Sequence, residues 1–351
     1  MTGTDAKVEA MKMADANQPE RVQSLAQKGE AVVPAVYVQP PDNRPRINVN
    51  DSLHPVPTID LSAPADLILG ELRKACREWG AFHVVNHGVS VELLDGARRV
   101  GRSFFQDYPL PEKLRYSCDP DLPASEGYGS RMLVASNDAV LDWRDYFDHH
   151  TLPLSRRDPS RWPHFPSDYR DVVARYSDCM KILAQRLLGL ISKSLGLPCS
   201  CIQDAVGEFH QNITFSYYPP CPQPELTLGL QSHSDMGAIT LLIQDDVRGL
   251  QVLKDEKWVT VNPLSDAILV ILADQIEIIT NGEYRSSIHR AITNAEQPRF
   301  SIATFHDPAK TRKVSPAFHP PKYREVMYGN YVSSWYTKGP EGKRNLDALI
   351  I

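Results

Sequence analysis

The sequence is short of most features that mark the common alternative classes. It has no apolar run of the roughly eighteen residues a membrane-spanning helix needs. Its opening, MTGTDAKVEAMKMADANQPE, lacks the hydrophobic stretch of a secretory signal. The six cysteines, Cys76, Cys118, Cys179, Cys199, Cys201 and Cys221, are scattered and include no C-x-x-C pair. A disulfide framework and a zinc knuckle are therefore excluded, and these side chains read as reduced thiols. Basic charge is not in excess, since 38 Lys and Arg stand against 43 Asp and Glu for a formal charge of −5. That argues against a nucleic-acid or membrane-surface protein. No G-x-G-x-x-G lies between a strand and a helix, which excludes a nicotinamide dehydrogenase, and no H-E-x-x-H is present to build a zinc hydrolase. The expected location is cytoplasmic and the expected assembly a monomer.

What is present reads as one domain behind a tail. Residues 1–20 are polar and aperiodic, a disordered tail, and 21–351 form a single domain. Its N-terminal part, 21–210, begins with a proline-rich extended segment (32–57) and a first strand, VPTIDL. Leu69, Leu72, Cys76 and Trp79 recur at three- and four-residue steps and predict a helix stopping at Gly80. AFHVVNHG follows as a strand and turn, then a helix capped by Ser90. Residues 108–165, with GYGSRM and LDWRDYFDHH, read as loops covering a site. A long amphipathic helix runs from about 167 to 195 and is ended by Gly196 and Pro198. After 210 the texture changes to short β-rich runs: ITFSYYP, GAITLLIQD, GLQVL, WVTVNP, AILVILAD, RSSIHRAIT and RFSIATFHDP. The predicted fold is mainly β with a helical layer. Its core, about 211–310, is a double-stranded β-helix or jelly roll, flanked by N-terminal helices and a C-terminal helix over about 320–351.

Chemistry concentrates between Asn212 and Pro308. His233 and Asp235 are two residues apart and in a strand would face the same side. His289 lies far enough downstream for several strands and turns to return it beside them. Two imidazoles and one carboxylate meeting at a point are the ligand set of a mononuclear iron(II) site with open positions. A His-x-Asp pair alone arises by chance and carries little. Its company raises the signal: Arg299 and Ser301, again two apart, follow His289 at the distance of one hairpin. Charge supplies a reason for the arginine. A ferrous dication, one carboxylate and a dicarboxylic 2-oxo acid leave one negative charge in a cavity, and Arg299 would balance it by a bidentate grip.

These motifs resemble the plant iron(II)- and 2-oxoglutarate-dependent dioxygenases of specialised metabolism, such as flavonoid, anthocyanidin and alkaloid oxygenases. The resemblance spans about 22–351 and rests on PTIDL, EWGAFHVVNHGV, GYGS, LDWRDYF, SYYPPCPQPELTLGLQSHSD, ITNGEYRSSIHRA, RFSIATFHDP and KGPEGKR. It implies that His233, Asp235 and His289 bind iron(II) and that Arg299, Ser301 and Tyr218 hold 2-oxoglutarate, with ascorbate as reductant. Ser216 stands where the family usually has asparagine and is a shorter donor. The implied reaction couples conversion of 2-oxoglutarate and dioxygen to succinate and carbon dioxide with hydroxylation, desaturation or O-demethylation of a small hydrophobic metabolite. Matching positions make Tyr128, Tyr146, Asp148, Thr214, Phe305 and Asp307 candidate substrate contacts.

The plainer reading wins for several other residues. His87 in its turn, His164, His210 and Arg290 are expected to be structural, and Asp266 and Asp274 to be turn residues. The competing function is a non-catalytic small-molecule-binding protein on the same barrel. An intact triad together with Arg299 and Ser301 speaks against it, because a binder needs no such set.

Overall fold

The computed structural model describes residues 20–45, 55–119, 125–130, 140–338 and 345–351; the tail expected over 1–20 lies, Glu20 apart, outside the described residues. The helices are α1 (Val22–Gln27), α2 (Ala65–Glu78), α3 (Val91–Gln106), α4 (Leu110–Leu114), α5 (Tyr169–Ser194), α6 (Cys201–Val206), α7 (Asp274–Ile279) and α8 (Tyr328–Lys338). The strands are β1 (Thr58–Asp60), β2 (Ala81–Val85), β3 (Gly127–Gly129), β4 (Asp145–Leu152), β5 (His210–Tyr218) and β6 (Leu228–His233), then β7 (Ile239–Gln244), β8 (Leu250–Lys254), β9 (Lys257–Thr260), β10 (Ile268–Leu272), β11 (His289–Ile292) and β12 (Arg299–Asp307). An eight-stranded sheet runs β1-β2-β10-β7-β12-β5-β4-β3, and a four-stranded sheet runs β6-β11-β8-β9. The two sheets make the double-stranded core that the short β runs predict.

Alternation along β7 divides the molecule. Ile239, Leu241 and Ile243 enter the large core under the helices, while Leu242 joins a smaller apolar cluster with Leu250, Val252, Leu269 and Ile271. The inner face of β7 is therefore Thr240, Leu242 and Gln244. By register, β12 lays Ser301, Ala303 and Phe305 beside them, and β5 lays Ser216, Thr214 and Asn212 beyond. The outer face carries Phe300, Ile302, Phe215 and Ile213 into the helix-side core.

That core is tight where α3 crosses the sheet. A Cβ built on Gly101 would sit 2.8 Å from Cδ2 of Phe215 and collide with the Phe300 ring. Gly101→Ala is therefore expected to cost about 1–3 kcal/mol of overpacking. Urea unfolding checks it, and an unchanged midpoint would contradict the close approach.

Several boundaries differ from expectation. The segment 108–165 holds two strands of the large sheet, because β3 and β4 extend β5 edgewise; its polar loop residues concealed the alternation. The C-terminal helix is α8 alone, preceded by a short strand at Val326–Met327 and followed by a 3₁₀ turn at Asn345–Leu349. Leu228–His233 is a strand missing from the sequence series, since Gly229 and the polar Gln231 and Ser232 weaken its pattern. Asp274, expected in a turn, opens α7 and is fully buried.

Candidate active site

The two imidazoles come from neighbouring strands of the smaller sheet, where His233 on β6 pairs in register with His289 on β11. Their ring centroids are 4.3 Å apart. Asp235 lies past the end of β6, so its approach comes from the turn into β7 and not from strand alternation as expected. Its Oδ1 is 3.6 Å from Nε2 of His233 and 3.7 Å from Nε2 of His289. One ligand atom from each of the three falls within 4.8 Å of the others.

The remaining polar atom of each side chain is engaged in a way that frees those three. Nδ1 of His233 lies 2.8 Å from the Gln231 carbonyl and Nδ1 of His289 lies 3.1 Å from the Ser287 carbonyl. A carbonyl accepts only, so it fixes the proton on Nδ1 and leaves Nε2 as a lone-pair donor. The Thr240 hydroxyl donates to Oδ2 of Asp235 at 2.5 Å and leaves Oδ1 open. Burial opposes the Asp235 charge, but His289, His233 and Thr240 outweigh it and hold the carboxyl at about 2. Burial and the adjacent His233 lower His289 to about 4, so that ring is neutral, whereas Asp235 overcomes burial at His233 and raises it. This donor set suits a divalent ion of intermediate hardness.

On the larger sheet, at the start of β12, Arg299 is 2% exposed. Its Nη2 donates to Oε1 of Gln244 at 2.6 Å, and its guanidinium lies 5.0 Å from the centroid of the Tyr218 ring. Nε and Nη1 are buried with no hydrogen-bond partner. Buried guanidinium donors are costly unless something accepts from them, so this pair fits an anion such as a carboxylate. Gly249 makes room for the side chain, because a Cβ there would stand 2.6 Å from Cδ of Arg299. Ser301 pairs with Ser216 across β12 and β5, and Arg299 with Tyr218, so these four share one corner of the inner face.

The other sequence candidates divide. Tyr146, Asp148, Thr214, Phe305 and Asp307 follow the inner-face alternation, and the Thr214 hydroxyl donates to Oδ1 of Asp148. Tyr128 does not. It lies one residue out of phase, its ring 5.5 Å from that of Phe104 and its hydroxyl 3.3 Å from Asp145 in the helix-side core. As a substrate contact it is withdrawn, because a one-residue offset on a strand moves a side chain to the other face. Thr240, Gln244 and Arg144 were missed. Arg144 lies two residues before Tyr146, and Thr240 and Gln244 lie four apart on β7, so all three follow the inner-face period, which becomes visible only once the strands are paired. The structural readings stand where contacts describe them: His87 accepts from the Val89 amide at 3.1 Å, and Arg290 bonds Gln251 at 2.9 Å and covers the Trp258 ring at 4.1 Å.

Comparison with known proteins identifies the arrangement. The 2OG-Fe(II) oxygenase superfamily model matches residues 209–308, and the model of the N-terminal region of the non-haem dioxygenase in morphine synthesis matches 56–165. Jasmonate-induced oxygenase 4 of Arabidopsis thaliana is 40% identical over 346 residues, covering 94% of this chain and 96% of that one. The chain belongs to the 2-oxoglutarate- and iron(II)-dependent oxygenases. Flavanone 3-dioxygenase 2 of rice is 36% identical over 343 residues, covering 95% and 96%. A crystal structure of JOX2 in complex with 2OG, Fe and JA superposes with a TM-score of 0.88 at 39% identity, covering 95% of this chain and 98% of that one.

The oxygenase thus uses iron(II) and 2-oxoglutarate, which when bound would supply the oxidising power of the reaction. The protein does the rest with its own groups. Backbone carbonyls and Thr240 orient the three donor atoms, Gln244 and Tyr218 fix the Arg299 fork, and the apolar walls at Leu242 and Ala303 exclude water from one side.

Proposed function

We propose that the enzyme oxidises a small, largely apolar metabolite whose polar end carries a positive charge or a hydrogen-bond donor directed at Asp148. In this reading His233, Asp235 and His289 hold the iron, while Arg299, Ser301 and Tyr218 hold 2-oxoglutarate. A basic alkaloid fits the substrate requirement better than a flavonoid or phenylpropanoid, and the outcome is hydroxylation, desaturation or O-demethylation. The observation that carries it is Asp148. Its carboxyl accepts from Thr214 on the inner face, and among the described residues no basic side chain stands within ion-pair distance of it. Burial pushes it up to about 6, against the Thr214 hydrogen bond and the more distant Arg144 charge, which favour the anion.

The sign of the pH dependence follows. Below about 6 the carboxyl is protonated and neutral, and above it the group is an anion able to pair with a cation. The KM for a cationic substrate is therefore expected to fall as pH rises through 6, and Asp148→Asn should raise KM about tenfold or more and flatten that profile. Succinate release across a panel of amines and matched neutral analogues checks both. A profile unchanged in Asp148→Asn would sink this substrate class.

A second reading has its own support. The likeness to JOX2, crystallised with JA, favours a small apolar carboxylic acid. The two separate in one assay: with jasmonic acid as substrate, removal of the Asp148 charge should improve turnover, whereas with an amine it should impair it.

A further inference from the structure

One buried cation beside the inner face has no part in the metal centre or in the Arg299 contacts. Arg144 immediately precedes β4 and is 3% exposed. Its Nη1 donates to Oγ of Ser216 at 3.1 Å, and its guanidinium lies 5.3 Å from the Tyr146 ring centroid. Its Nε is buried with no hydrogen-bond partner. Among the described residues no carboxylate forms an ion pair with it; Asp142, two residues earlier, accepts from the Gln231 amide at 3.0 Å, and Asp148 accepts from Thr214. The charges of Asp142 and Asp148 are felt at longer range, yet neither carboxylate accepts from it. A buried guanidinium donor with no acceptor is costly, so the orphaned Nε calls for an anionic one.

Its neighbours indicate which one. Tyr218 pairs in register with Arg299, two residues along from the Ser216–Ser301 pair, and although burial pushes its pKa up, Arg144 and Arg299 together bring it below the ordinary tyrosine value. Arg144, Ser216, Tyr218, Ser301 and Arg299 thus form a chain of polar neighbours along the inner face, joined by register, the Arg144–Ser216 hydrogen bond and the Arg299–Tyr218 ring contact. The short Ser216 side chain is what lets the long Arg144 reach that chain. A longer amide at 216 would fill the space and do the donating itself.

We propose that Arg144 is the second cation of the co-substrate site, so that each carboxylate of 2-oxoglutarate has its own guanidinium: Arg299 for the far one, Arg144 for the one beside the keto group. The assignment rests on the reading of Arg299 and Ser301 as co-substrate holders. It explains why Ser216 is tolerated at this corner and why Arg144 carries no protein carboxylate.

The test uses two ligands, 2-oxoglutarate and 2-oxopentanoate, the second lacking the far carboxylate. Binding is read anaerobically from the visible charge-transfer band of the iron(II) protein and, independently, from thermal shift of the metal-free protein. Arg144→Gln should weaken both ligands by about tenfold or more and by similar factors, whereas Arg299→Gln should weaken 2-oxoglutarate alone. Arg144→Lys, which keeps charge but loses the fork, should fall between; it also serves if the glutamine variant does not fold. Unchanged 2-oxoglutarate affinity in both Arg144 variants would overturn the proposal. So would a loss confined to the KM of the substrate, which would make Arg144 a substrate cation. If Arg299→Gln also binds 2-oxoglutarate normally, the reading of the whole corner fails, and that result is distinct from failure of Arg144 alone.

Discussion

Asp235→Ala is expected to leave a folded protein that retains little iron(II) after desalting and turns over about a thousandfold more slowly, a loss of about 4 kcal/mol. The fold should survive because the backbone carbonyl of Asp235, which accepts from the Asp274 amide at 2.9 Å, is kept in alanine. The two histidines stay on their paired strands. Thr240→Val supplies the graded control. It removes only the donor to Oδ2 and should weaken iron by about 10- to 100-fold, as loss of a supporting hydrogen bond at a metal ligand does. Metal analysis beside circular dichroism reads both. Full iron content in Asp235→Ala would show that the carboxylate is not a ligand.

Arg299→Ala should raise the KM for 2-oxoglutarate by about 10- to 100-fold, the worth of a charge-assisted hydrogen-bond pair in a buried site, while kcat at saturating co-substrate recovers in part. The glycine beside it offers a subtler version of the same loss. In Gly249→Ala the new methyl would stand 2.6 Å from Cδ and 2.9 Å from Nε of Arg299, and 3.1 Å from the Ile292 carbonyl. The flexible side chain yields before the backbone, so the fork is displaced without being removed. A several-fold rise in the same KM with unchanged iron content is expected. Co-substrate titrations of the two variants check it, and a normal KM in both would move the co-substrate away from this corner.

The sequence made this site readable because its chemistry lies on short regular strands. Arg299, Ser301 and Phe305 share a face by simple alternation along the unbroken nine residues of β12. His233 and His289 announced themselves through residue type and spacing. Legibility failed where local pattern and tertiary pairing part company. Asp235 reaches the ion from a turn, which alternation cannot anticipate. Tyr128 was assigned by matching position, and a strand of three residues gives too little period to reveal that it faces the helices. Arg144 sits in a tract whose alternation becomes visible only once β4 is paired with β5. The β6 strand is stabilised by its neighbour β11, and its own residues do not declare it.

One contact ties the end of the chain to the metal. The Tyr331 hydroxyl on α8 donates to Oδ2 of Asp274 at 2.5 Å, and the amide of Asp274 holds the Asp235 carbonyl. The last helix therefore acts as a latch on the peptide that presents the acidic ligand. A protease clipping the chain ahead of that helix would act as an iron-releasing agent, although it never touches a liganding atom.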